Sequence, residues 1–143
     1  MSLGLASSAP FTFVLNEATR ILAVDDDPIS LEFASAYLST PTATVETALC
    51  AEDGLAKLAA SPFDIALVDL QMPGMGGMEM IRRIRAEPNL RSLPIVVVTS
   101  LDDIVSIDTA FEAGASSFVT KPVNWRLLSY HLRFVLRASR ASA

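Results

Sequence analysis

The sequence predicts an α/β domain built on a doubly wound, five-stranded parallel sheet with five helices. Three observations carry that prediction. Short β-branched runs alternate with longer segments of helical period from Arg20 onward. The first, third and fourth runs are almost continuously apolar, as strands covered on both faces must be. The segments between runs are long enough for the crossover helices that parallel strands require.

The strands are expected at 21–25 (ILAVD), 43–48 (ATVETA), 64–69 (DIALVD), 94–99 (PIVVVT) and 116–120 (SSFVT). Pro28 opens the first helix, since proline costs nothing where the backbone N–H has no helical partner. There Ser30, Phe33, Ala34, Tyr37 and Leu38 fall on one face, Leu31 is out of phase and Pro41 follows the end. The second helix runs from about Ala51 to Ala60, before Ser61 and Pro62. The third runs from about Gly77 to Ala86, with Met78, Ile81 and Ile84 inward and Arg82, Arg83 and Arg85 outward. Asp102 or Asp103 caps the fourth and Gly114 stops it. The fifth starts at Asn124 and reaches at least Leu136.

Residues 1–19 are rich in Ser, Ala and Thr and read as a tail, with Met1-Ser2-Leu3 resembling an expression remnant. Within it Phe11, Phe13 and Leu15 alternate as a strand would. The domain is expected over 20–138, with 139–143 as a C-terminal tail or a linker to an output domain. At 143 residues one self-sufficient core is expected, and 51% hydrophobic against 19% charged residues argues against disorder throughout. A net charge of -5 argues against a broad nucleic-acid footprint, which needs clustered cations. No apolar run approaches a bilayer span, and no export leader is evident, so no membrane partner and a cytoplasmic location are expected. The lone Cys50 can form no internal disulfide and reads as a small buried residue.

In open α/β sheets the functional crevice lies at the carboxyl ends of the strands, and the polar residues collect there. The first strand ends in Asp25-Asp26-Asp27, the third at Asp69, the fourth at Thr99-Ser100 and the fifth at Lys121-Pro122. Three converging carboxylates repel one another unless a cation neutralises them. Mg2+ suits such a cluster because it prefers carboxylate and carbonyl oxygens, with Mn2+ as its nearest substitute. Singly, Asp26 or Asp27 could be a helix cap, Asp69 a solvated acid and Thr99 a cap for the next helix; it is the conjunction that points to a site.

The stretches ILAVDDDP, ALVDLQMPGMGG, PIVVVTS and FVTKP, in this order, resemble the signature segments of response-regulator receiver domains over about residues 20–138. The resemblance implies a flavodoxin-like fold with strand order 2-1-3-4-5 and a phosphoacceptor module of two-component signalling rather than an enzyme. It implies that Asp69 accepts a phosphoryl group from a histidine kinase or histidine phosphotransfer protein. Asp25, Asp26, Asp69 and the backbone carbonyl of Gln71 would hold the metal. Lys121 would neutralise phosphoryl oxygens, its ammonium aimed by a cis bond to Pro122, while Thr99 and Phe118 would act as the switch. Gln71 and Leu101, two residues beyond Asp69 and Thr99, would tune hydrolysis.

Ile104, Ile107 and Phe111 form one apolar stripe on the fourth helix, and Leu127, Tyr130 and Phe134 form a surplus stripe on the fifth. Leu128, Leu132 and Val135 supply that helix's core face. The surplus stripes predict an output face that dimerises on phosphorylation. His131 is expected to sit away from the acidic crevice, and Met72, Met75, Met78 and Met80 to serve as core filler. Two rival readings carry less. A haloacid-dehalogenase-type phosphohydrolase needs a second Asp where Gln71 stands, and a phosphate-independent pseudo-receiver usually lacks an acid, the Thr or the Lys.

Overall fold

The computed structural model describes residues 17–142. The expectation of a strand at Phe11, Phe13 and Leu15 lies outside them. Five strands form one parallel sheet: β1 (Thr19–Val24), β2 (Ala43–Ala48), β3 (Ile65–Val68), β4 (Ile95–Thr99) and β5 (Ser117–Thr120). Their order is β2-β1-β3-β4-β5, as expected. Five α-helices connect and cover them: α1 (Pro28–Leu38), α2 (Ala51–Ala60), α3 (Gly77–Ala86), α4 (Ile104–Ala113) and α5 (Trp125–Ser142). The helix α5 therefore continues past residue 138 as regular helix. No described helix is long and apolar enough to cross a membrane.

Alternation along the strands divides the core in two. Leu22, Val24, Ala66, Val68, Ile95 and Val97 face α2, α3 and α4. Ile21, Ala23, Ile65, Leu67, Val96 and Val98 face α1 and α5, where Leu128, Leu132, Val135 and Leu136 meet them. The continuously apolar strands are thus consumed on both faces.

Four placements differ from the sequence reading. On α1 the buried residues are Leu31, Ala34 and Leu38, while Phe33 and Tyr37 are exposed. The helix carries two apolar stripes, and the smaller side chains of the Leu31 stripe are the ones that seat on the sheet. On α3 the inward residues are Gly77, Met80, Ile81 and Ile84, with Met78 only half-buried. Arg85 does not point out to solvent. Its guanidinium donates to the carbonyls of Gly114 (2.9 Å) and Leu93 (2.6 Å), and to those of Leu90 and Arg91. It joins the end of α3 to the α4–β5 turn, and burial pulls its pKa down. Cys50, expected to be buried, is half-buried at the N-cap of α2. Met72 and Met80 are buried, and Met75 and Met78 pack against the same cluster.

Candidate phosphoacceptor site

Parallel register brings the strand ends together. Val24 pairs with Val68 and Val68 with Val97, so the residues that follow β1 and β3 are neighbours across the sheet. The Asp69 amide donates to the Val24 carbonyl at 3.0 Å, and the Lys121 amide donates to the Thr99 carbonyl at 2.8 Å. Gly77, which opens α3, lies so close beneath this edge that a Cβ there would stand 2.3 Å from the Asp69 carbonyl oxygen. Glycine is required by that approach and not by its backbone angle.

Asp25 and Asp69 are 7% and 6% exposed, whereas Asp26 projects to solvent. One carboxylate oxygen from each of Asp25, Asp26 and Asp69 lies within 4.8 Å of the others. Lys121 Nζ, from the loop after β5, donates to Asp25 Oδ2 at 2.7 Å and to Asp69 Oδ2 at 3.2 Å. The Lys121–Pro122 bond is cis. The remaining oxygens take backbone donors: Asp27 N–H reaches Asp25 Oδ1 at 2.9 Å, and Gln71 N–H reaches Asp69 Oδ1 at 3.0 Å. Each carboxylate oxygen keeps lone-pair capacity. This donor set of hard oxygens, carrying more negative charge than one ammonium offsets, fits a Mg2+-sized cation and not a soft metal.

Electrostatics follow from the burial. Desolvation pushes the Asp25 carboxyl above its ordinary value, against the lowering effect of the Lys121 and Asp27 hydrogen bonds, and the Asp69 charge adds to the rise. For Lys121 desolvation is the largest single influence and acts downward. The Asp25 hydrogen bond and the two carboxylate charges together outweigh it and hold the ammonium above its usual range.

Thr99 is fully buried at the end of β4, and its Oγ1 accepts a 3.5 Å contact from the Leu101 amide. Phe118 pairs across the sheet from Val97 and is half-buried against the α2–α3–α4 core. Leu101 is half-buried, and Gln71 is exposed. Asp27 sits outside the cluster, capping α1 through the Ile29 amide at 3.0 Å. His131 lies on α5, hydrogen-bonded through Nε2 to Ser117 Oγ and away from the crevice. On the α4–β5–α5 face Ile104, Phe111, Leu127, Tyr130 and Phe134 are exposed, and Ile107 is only half-buried.

Two features had gone unread in the sequence. Ser100 Oγ donates to Gln71 Oε1 at 2.7 Å, bridging the β3 and β4 loops. Phe33, Tyr37 and Trp125 stack with centroids 6.0 to 6.3 Å apart, joining α1 to the start of α5. The i, i+4 spacing of Phe33 and Tyr37 was the available hint for the second. The first depends on side-chain rotamers and left no trace.

Comparison with known proteins gives a single answer. A family model described as "Response regulator receiver domain" matches residues 21–133. The response regulator PleD of Caulobacter vibrioides is 35% identical over 120 residues, which is 84% of this chain and 26% of that protein. The transcriptional regulatory protein AfsQ1 of Streptomyces coelicolor is 34% identical over 117 residues, 82% of this chain and 51% of that protein. The chain thus spans between a quarter and a half of these relatives. Among solved structures, a CheY-like receiver domain protein from Methanospirillum hungatei has a TM-score of 0.82 at 29% identity, covering 89% of this chain and all of that one. Chemotaxis protein CheY4 of Vibrio cholerae has a TM-score of 0.78 at 29% identity, covering 82% of this chain and 98% of that one. With five strands in this order and the acid cluster at their carboxyl edge, the chain belongs to the response regulator receiver domain family.

Proposed function

We propose that this receiver takes a phosphoryl group onto Asp69 from a histidine kinase or a histidine phosphotransfer protein. The observation that carries the reading is Lys121 bridging Asp25 and Asp69 beside the exposed Asp26, a cluster of one cation and three carboxylates at the crevice. An Asp69 oxygen attacks phosphorus in line, the bond from phosphorus to the donor's imidazole nitrogen breaks, and the imidazole leaves with that electron pair and takes up a proton. Catalysis of such a transfer is positioning and charge stabilisation. The Gln71 N–H fixes the Asp69 carboxylate, and Lys121 is within reach of a phosphoryl oxygen on it. Asp25, Asp26, Asp69 and the Gln71 carbonyl would hold Mg2+, which supplies further neutralisation of the equatorial oxygens. Gln71 and Leu101 flank the path of a hydrolytic water, and the apolar Leu101 cannot orient one, so the phosphoryl group is long-lived.

Thr99 and Phe118 form the switch. The Thr99 hydroxyl turns to the phosphoryl group, and Phe118, already half inside, moves further in. The affected face is α4–β5–α5, where Ile104, Phe111, Tyr130 and Phe134 present an apolar surface of the kind that marks an interaction site. Ile107 contributes only its exposed part. Phosphorylation then favours a homodimer through this face. The domain covers residues 20–138, and α5 carries the change toward whatever output module the longer protein contains. Relatives named as a transcriptional regulator and a cyclic di-GMP phosphodiesterase illustrate the range. The reading places the module in the cytoplasm, without nucleic-acid or membrane contact of its own.

Incubation with acetyl phosphate and Mg2+ tests the reading by intact mass. One added phosphoryl group in the wild type and none in Asp69→Asn is expected. Modification that persists in Asp69→Asn overturns it. Sedimentation with and without beryllofluoride tests the second step: a dimer that appears only with beryllofluoride and is lost in Phe111→Asp supports it, and a monomer in both states at high micromolar concentration removes it.

A further inference from the structure

Beneath the acid cluster, on the α1–α5 side of the sheet, lies a cavity of about 260 Å3. Its walls are mainly apolar: Ala23, Leu67 and Val98 from the sheet, Leu31 and Ala34 from α1, and Leu128 from α5. Phe33 and Trp125, stacked at 6.3 Å, also line it, with Phe33 46% exposed. Asp25, Asp69 and Lys121 line its polar end.

We infer that this cavity binds a small organic cation, with a flat apolar body of one or two fused rings and an ammonium or amidinium end. Size sets the body: a dry apolar cavity of about 150 Å3 admits benzene, so 260 Å3 accommodates a bicyclic ring. It is too small for a partner's helix. Charge sets the end. Two carboxylates meet one ammonium there, and each carboxylate oxygen still has acceptor capacity. An anionic ligand of the same shape meets net repulsion. The ligand's cation occupies Asp25 and Asp69 oxygens, so it competes with Mg2+. On the phosphoacceptor reading, from which this consequence derives, it also slows phosphoryl uptake.

Titration of the 15N-labelled chain in Mg2+-free buffer with tryptamine, indole and indole-3-acetate tests the inference by amide shifts. Expected are saturable shifts at Ala34, Leu67, Val98 and Val123, with tryptamine binding on the order of tenfold tighter than indole-3-acetate. Mg2+ should weaken tryptamine binding. Filling the cavity by Ala34→Leu, or by Leu67→Phe should the first variant not fold, should abolish these shifts. Absence of saturable shifts, equal affinity for cation and anion, or shifts confined to Phe33, Tyr37 and Trp125 and indifferent to the filling variants would each overturn it. The last pattern would place the ring on the exposed aromatic stack and not in the cavity. Acetyl phosphate uptake separates the two readings. No uptake without tryptamine defeats the phosphoacceptor reading and leaves the binding result standing, whereas uptake that tryptamine at saturation does not slow defeats the competition alone.

Discussion

Replacing Lys121 by Met keeps most of the side chain's volume and removes the only cation in contact with Asp25 and Asp69 among the described residues. Those carboxylates have side chains 9% and 7% exposed, and the lysine side chain is 24% exposed. Breaking a fully buried pair costs about 3–5 kcal/mol and a surface pair about 0–1 kcal/mol. Partial exposure of the lysine places this site between them, at about 2–3 kcal/mol. With a urea m-value of about 2 kcal/mol/M, the midpoint falls by roughly 1–1.5 M. Asp25→Asn should behave oppositely. Its carboxyl is raised above the ordinary 3.8, chiefly by desolvation, so the folded state holds the proton more tightly than the unfolded one. Stability tied to Asp25 is therefore greatest below the unfolded value and falls as pH rises through the folded value. Above the folded value the ionised group is a cost, and Asn removes it. In Asp25→Asn the further change Lys121→Met should cost about 1 kcal/mol less than in the wild type, a coupling that a double-mutant cycle reads directly. Urea melts of the four proteins at pH 7, with and without Mg2+, are the assay; Mg2+ should restore part of the loss in Lys121→Met. A neutral Lys121→Met, or strict additivity, would refute this account of the site's electrostatics.

Gly77→Ala places a Cβ 2.3 Å from the Asp69 carbonyl and 2.7 Å from Leu70 Cα, contacts that only a backbone shift can relieve. It should lower stability by about 2 kcal/mol or more and slow acetyl phosphate uptake, as urea melts and intact-mass time courses would show. On the proposed function, Mg2+ binding is expected in the micromolar to millimolar range, and Asp26→Ala should weaken it while leaving the fold in place; unchanged affinity in a titration removes Asp26 from the metal site. Hydrogen bonds from the Ser106 amide and hydroxyl hold the Asp103 carboxyl below its ordinary value. The α4 cap therefore contributes stability above the unfolded pKa and loses it as pH falls through the folded one, and this acid-side loss should be absent in Asp103→Ala when Tm is followed from pH 6 downward.

Much of this was legible in the sequence for physical reasons. Strands such as Ile95–Thr99 are buried on both faces, so their composition alone marks them. Once the strands are placed, Asp25, Asp69, Thr99 and Lys121 fall at carboxyl ends and must share an edge. The phase of α1 was not legible, because Ala34 and Leu38 belong to either stripe, and periodicity cannot choose whether Leu31 or the Phe33–Tyr37 pair joins them against the sheet. Arg85 was misplaced because its acceptors, the carbonyls of Leu90, Arg91, Leu93 and Gly114, are loop backbone with no sequence signature. The cavity above Leu67 and Val98 arises from what side chains fail to fill, which no pattern of residues announces.

On the proposed function the phosphoryl acceptor is the Asp69 carboxylate itself. Borohydride reduces an acyl phosphate to the alcohol, turning a phosphorylated aspartate into homoserine. Treating the chain with acetyl phosphate and Mg2+, reducing it, and sequencing its peptides by mass spectrometry should find homoserine at position 69 and Asp at 25, 26 and 27. Homoserine at any of those three positions with Asp intact at 69, or phosphate on a serine, threonine or His131, would contradict it.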